Sequence, residues 1–236
     1  MPFPMISKLS KLTTDLNYHN ALAVSQYMKY LVFLLLTLWF DTMAQNECKL
    51  QLDRDSIRVY NCKVPDSKFK AVKVEFQLKA TYAEAAAMIL DINNLHRWQY
   101  QTASATTLRK INEHELIYYT EVKTPTVINN RDFVIHLSIH QNKDSKNLTV
   151  RAVSKPDYIA TKKRVVRVPF SDATWQIKSI SKNRLAVTYY IQIDFGGAIP
   201  AWVVNSMSHI APYETFKAMR NEIGRYRNQS VKGILD

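Results

Sequence analysis

Residues 68–79 alternate cleanly, with Val72, Val74, Phe76 and Leu78 on one face and Lys73, Glu75, Gln77 and Lys79 on the other. A period of two predicts a strand with one buried side. Thr81 and Glu84 then stand at capping-box spacing, and the alanine-rich stretch 82–92 predicts a helix that ends at Asn93-Asn94. Leu95-His96-Arg97-Trp98 leads back toward a run of strands, expected at 103–111, 114–122, 131–141, 147–154, 162–168, 170–180 and 184–195. Nearly every connection is short, Asn112-Glu113 and Ser181-Lys182-Asn183 among them, so the sheet is expected to be antiparallel and strongly curved. In the last long segment, 194–227, the period changes. A strand ends at Gly196-Gly197, Pro200 is placed to open a helix, and Val203, Met207, Ile210, Tyr213, Phe216, Met219, Ile223 and Tyr226 recur at helical spacing on one face. Such a stripe has to be buried against a sheet. Pro212 has no N–H for the carbonyl of Ser208, which predicts a bend there.

Alternation also assigns faces. Phe133, Ile135, Leu137 and Ile139 point one way, His136, Ser138 and His140 the other. The matching inward sets are Leu116, Tyr118, Thr120 and Val122; Ala173, Trp175 and Ile177; and Val187, Tyr189, Ile191 and Ile193. Apolar walls with a few polar members, here Tyr118, Thr120 and Tyr189, suit a ligand cavity. A packed core carries the same signature, because buried tyrosines ordinarily find a backbone partner, and alternation alone favours the packed core.

Ahead of this domain lies a different kind of sequence. Met28-Lys29 precedes an apolar run at 30–40 that is too short for the roughly twenty residues a membrane helix needs. It matches a secretory h-region, and Thr42-Met43-Ala44 supplies small residues for cleavage after Ala44. The expected organisation is a doubtful extension at 1–27 with translation starting at Met28, a signal peptide at 28–44, and one domain at 45–236 that is exported. An organellar targeting segment or an uncleaved anchor is the alternative for the front. Disulfides persist in exported proteins. Arg54-Asp55-Ser56 reads as the turn of a hairpin, and pairing Asp53 with Ile57 sets Leu50 opposite Tyr60 and Cys48 opposite Cys62, so a Cys48–Cys62 bond is expected. Two unpaired thiols are the alternative.

The net charge is +12, of which the first 44 residues contribute only +1. A basic surface is drawn to anionic membranes or nucleic acid, yet the basic residues are mostly scattered. The densest group is Lys162, Lys163 and Arg164 with Arg167; no nucleic-acid-binding pattern accompanies it, so nucleic acid is not an expected partner. Only four glycines occur, none in a phosphate-cradling pattern. No H-E-x-x-H or G-x-S-x-G occurs, and His136 and His140 are about 13 Å apart along a strand, too far to share a metal. Glu75, Glu115, Glu121 and Asp132 fall on the outward face. No metal, cofactor or catalytic residue is assigned.

Several local motifs coincide with a known family. Ile57-Arg58-Val59-Tyr60, the run from Asp91 to Trp98, Asn130-Arg131-Asp132-Phe133-Val134, Val166-Arg167, Trp175, and the run from Gly196 to Asn205 resemble, in order, a START domain over residues 47–228. START domains are the lipid-transfer module named for the steroidogenic acute regulatory protein. The resemblance implies an α+β helix-grip fold, a curved antiparallel sheet wrapped around a long C-terminal helix and enclosing one lipid-sized tunnel. It turns the choice between core and cavity toward cavity. The expected lining is Trp98, Leu116, Tyr118, Thr120, Phe133, Ile135, Leu137, Trp175, Tyr189, Ile191, Trp202, Val203, Met207, Ile210 and Phe216. The terminal helix would act as lid, with Gly196, Gly197 and Pro212 as hinges and Lys162, Lys163 and Arg164 as a contact for an anionic membrane. Sterol-carrying members place an inward arginine where this chain has Leu137, so sterol specificity does not carry over. Arg131 and Asp132 are expected to hold the start of their strand by ion pairing and hydrogen bonds. The resemblance implies a monomeric binder of lipid or another hydrophobic molecule without a cofactor. An aromatase/cyclase-like enzyme on the same scaffold and a protein-interaction domain with a filled core are the alternatives.

Overall fold

The computed structural model describes residues 48–236 apart from 68, 125–127, 200–203 and 205–207. The extension and signal segment expected at 1–44 therefore lie outside the described residues, as do Pro200, Trp202, Val203 and Met207.

Ten strands form one sheet: β1 (Cys48–Arg54), β2 (Ile57–Cys62), β3 (Ala71–Leu78), β4 (Thr102–Asn112), β5 (Glu115–Val122), β6 (Asn130–Gln141), β7 (Leu148–Ser154), β8 (Val165–Arg167), β9 (Phe170–Ser181) and β10 (Arg184–Asp194). Their spatial order is β1-β2-β3-β10-β9-β7-β6-β5-β4, with β8 beside β6. Every pairing is antiparallel except β6 with β8. That exception corrects the expected strand at 162–168, which is shorter and parallel. Its cause is Arg167, whose guanidinium is bidentate on the Asp132 carboxylate at 2.9 and 3.2 Å and donates to the carbonyls of Pro156 and Ile159. These bonds fold the segment after β7 back over the outer face of β6. Asp132 thus points outward, as alternation requires, yet is 1% exposed.

The β1–β2 turn is carried by Asp55 and Ser56, both at positive φ (52° and 54°). Near the turn Asp53 pairs with Arg58, not with Ile57 as expected; a bulge between Leu50 and Leu52 then absorbs one residue, so that Leu50 meets Tyr60 and Cys48 meets Cys62. The Cys48–Cys62 disulfide closes on that corrected register.

The first helix, α1 (Tyr82–Leu90), has the complete capping box: Thr81 accepts from the Glu84 N–H and Glu84 accepts from the Thr81 N–H. Glu84 is buried because it also accepts from the Asn228 N–H at 3.1 Å. The helix stops at Leu90, where Asp91 takes the C-cap, and a 3-10 segment (Ile92–Arg97) replaces the last turn that was expected.

The terminal helix, α2 (Ile210–Glu222), continues as a 3-10 turn through Tyr226. Ser208 and His209 form a turn ahead of it, so the helix expected from Pro200 to 227 does not run unbroken; most of its expected first part, 200–203 and 205–207, lies outside the described residues. Pro212 consequently stands in the first turn of α2, where no intrahelical partner for its N–H is needed, and bends no helix interior. Tyr213, Phe216 and Met219 of α2 are buried, and they join Ile223, Tyr226, α1 and residues of the surrounding strands in one hydrophobic core. α2 is also tied to the β1–β2 turn. Arg220 donates to the carbonyls of Gln77, Asp55 and Ser56. Tyr213 donates to Asp55 and accepts from Arg54 at 2.8 Å.

Candidate functional site

Between the sheet and α2 the side chains do not meet everywhere. They leave a cavity of about 280 Å³, walled by β3, β5, β6, β7, β9, β10, the 3-10 segment after α1, and α2. The inward parity of each strand sets the wall: Tyr118, Thr120 and Val122 from β5, Phe133, Ile135 and Leu137 from β6, Ala173 and Trp175 from β9, and Tyr189, Ile191 and Ile193 from β10. One end is an aromatic cluster. Trp175 stands edge-on to Trp98 (6.4 Å), Tyr189 (5.0 Å) and Phe216 (5.3 Å). Phe216 is held from behind by Phe76 at 4.6 Å.

Of the expected lining, Trp98, Tyr118, Thr120, Phe133, Ile135, Leu137, Trp175, Tyr189, Ile191 and Phe216 border the cavity. Two expected members do not. Leu116 is buried in the packed core, and Ile210 at the start of α2 is 39% exposed because the helix begins there with a different face inward. Residues not expected also border it: Ile89, Ile92 and Leu95, together with Ala211, Pro212 and Thr215 of α2. Ile92 and Leu95 are missed by helical periodicity because they belong to a 3-10 segment, and the apolar spacing of Ile89, Ile92 and Leu95 is the signal that marks them.

The polar members differ in how they are satisfied. The Thr120 hydroxyl donates to the Ser104 carbonyl, and that of Thr215 accepts from the Tyr100 N–H. The hydroxyls of Tyr118 and Tyr189 have no hydrogen-bond partner among the described residues. Burial pushes both far above the ordinary phenol range, and Tyr118 adds to the effect on Tyr189, so both stay protonated. The indole N–H of Trp98 is buried with no hydrogen-bond partner among the described residues. Lys70 is the one charged residue bordering the cavity among the described residues, and it is solvent-exposed.

At the β6 end of the grip, Arg131 is 3% exposed and donates to the carbonyls of Asn129 (2.6 Å) and Gly196 (3.5 Å). Its Nε has no partner among the described residues, and burial lowers its pKa. The expected ion pairing of this motif therefore falls to Asp132 alone, with Arg167. Gly196 and Gly197 sit at φ 62° and 67°; a Cβ on Gly196 would come within 3.0 Å of Pro169 Cδ. Lys162, Lys163 and Arg164 are all exposed, and Lys162 also lies 4.1 Å over the Tyr119 ring and 4.0 Å from Glu121. His136 is bonded to Glu115 at 2.6 Å, and no cluster of metal-ligating side chains exists among the described residues.

Known proteins share this arrangement. A STAR-related lipid transfer protein from Xanthomonas axonopodis has a solved structure that matches with a TM-score of 0.70 and 28% identity, over 75% of this chain and 98% of that one. Human STARD10 shares the fold with a TM-score of 0.66 at 21% identity, over 79% of this chain and 78% of its own. An uncharacterized protein of Pseudomonas aeruginosa is 29% identical over 173 residues, 73% of this chain and 85% of that protein. The sequence profile of the START domain matches residues 43–229, and with its helix-grip fold the chain belongs to the START domain family.

Proposed function

We propose that this protein binds a lipid or another hydrophobic molecule inside the grip and carries it between membranes. The observation behind this reading is the cavity of about 280 Å³ with apolar walls, at a place where a filled interaction module would have interlocking side chains. Likeness to a STAR-related lipid transfer protein at 28% identity supports it. Burying a hydrocarbon chain there gains about 0.8 kcal/mol for each methylene removed from water, so dry walls suffice for binding. Binding and release, not turnover, is the proposed activity.

Loading needs an opening, and α2 with its 3-10 extension is the proposed lid. Gly196-Gly197 and the Ser208-His209 turn, both ahead of α2 in the chain, are its proposed hinges. Pro212, in the first turn of α2 and on the cavity wall, fixes where the lid begins. Lys163 and Arg164 are the proposed contact with an anionic leaflet. Export after cleavage near Ala44 fits the Cys48–Cys62 disulfide, which an oxidising compartment maintains.

Native mass spectrometry of the purified protein, followed by lipid extraction, is the test. A stoichiometric apolar adduct is the expected result. A protein that carries no adduct and takes up none from vesicles sinks the proposal.

A further inference from the structure

Resting on that reading, we infer that the ligand is an uncharged lipid of single-chain size whose one oxygen function lies against the hydroxyls of Tyr118 and Tyr189. Size comes first. The cavity of about 280 Å³ falls at the small end of ligand cavities, which run roughly 300–1,000 Å³. It is roughly twice the ~150 Å³ cavity that accommodates benzene, so it has room for about a dozen non-hydrogen atoms. Two acyl chains and a glycerophosphate headgroup exceed that several times over.

Charge comes second. Among the described residues bordering the cavity there is no Asp, Glu, Arg or His, and the single Lys70 faces solvent. The buried cation Arg131 does not border the cavity and is engaged with the carbonyls of Asn129 and Gly196. A carboxylate or phosphate carried inside would lose its hydration with only the exposed Lys70 at the border to offset the charge, a cost above that of an uncharged oxygen.

Polarity comes third. Tyr118 on β5 and Tyr189 on β10 reach the cavity from opposite arms of the sheet. Each hydroxyl lacks a partner among the described residues, unlike those of Thr120 and Thr215. Neither hydroxyl is among the fully buried unpartnered atoms, so each is open to the cavity it borders, where a hydroxyl, ester or ketone oxygen on the ligand would hydrogen-bond it.

The test uses protein freed of copurified lipid, titrated at pH 8 with 1-decanol, sodium decanoate and didecanoylphosphatidylglycerol, and read by calorimetry and native mass spectrometry. Decanol is expected to bind one to one and at least about tenfold more tightly than decanoate, with no phosphatidylglycerol complex. Tyr118→Phe and Tyr189→Phe together should weaken decanol about three- to tenfold, with the melting temperature held. Decanoate binding as tightly as decanol, or a stoichiometric phosphatidylglycerol complex, overturns this inference while leaving a carrier in place. Unchanged decanol affinity in the double variant overturns the tyrosine anchor. If none of the three binds, this inference falls, and the carrier reading falls with it only where the purified protein also carries no apolar adduct and takes up none from vesicles.

Discussion

Asp132 and Arg167 are the residues on which most of the outer face turns. Their side chains are 1% and 6% exposed, and the pair is bidentate. Asp132→Ala would leave a buried guanidinium without its counter-charge, and a loss of about 3–5 kcal/mol is expected in urea unfolding. Arg131, the neighbouring residue, has no such pair to lose. Gly196 is a second sensitive position. Gly196→Ala meets both a left-handed backbone and Pro169, so a cost of at least about 1–2 kcal/mol is expected from the backbone alone, read in the same unfolding curves. The motif containing Arg131 and Asp132 was legible in the sequence. The division of labour within it was not, because Arg167 lies 35 residues beyond Asp132 and nothing local announces the fold-back.

At the scale of elements, the β1–β2 hairpin works as a clip on α2. Its turn offers the carbonyls of Asp55 and Ser56 to Arg220 and the Asp55 carboxylate to Tyr213 and Lys217. The bond from Tyr213, with Lys217 and Arg54 acting against desolvation, holds Asp55 below the usual carboxylate range. A depressed carboxylate stabilises the fold above its unfolded pKa of about 3.9 and loses that contribution as pH falls through the lower folded value. Amides of α2 should therefore exchange hydrogen at a steady protection factor from pH 7 down to about 4 and lose protection only below it. Early loss, near pH 6, would mean that Asp55 does not govern the clip. The disulfide lies at the other end of the same hairpin, and Cys48→Ser with Cys62→Ser should cost about 2–4 kcal/mol in urea.

Elements were also where sequence reading worked best and failed most instructively. Alternation at residues 68–79 and 131–141 located β3 and β6, and the Thr81–Glu84 spacing located α1. Period arguments cannot see a 3-10 segment such as Ile92–Arg97, a three-residue strand such as β8, or the bulge beside Gln51. Each of these is decided by tertiary bonds and not by local pattern.

For the whole molecule the question was whether inward residues meet or stand apart. Tyr118, Trp175 and Tyr189 have the same sequence signature in either case, and only the separation of the two arms of the sheet decides it. Filling the space tests what it is for. Ala152→Phe, on the wall from β7, should abolish any copurified ligand in native mass spectra while leaving the melting temperature unchanged or raised. Lys163→Glu with Arg164→Glu should slow delivery to anionic vesicles at low salt and leave binding itself intact; equal rates would remove this loop from the docking surface.

The two rims of the sheet, β1 and β4, both carry register shifts against their neighbours, one in β1 and three in β4, while the interior pair β9–β10 carries one, at its turn end. An open sheet of this breadth offers two rows of unsatisfied amides to any passing copy, and kinked borders are poor templates for stacking. Deleting Gln51 would straighten one border yet still leave Cys48 across from Cys62. Such a protein should keep its cross-link and its cavity, and betray itself only by sticking to its own kind as it is concentrated.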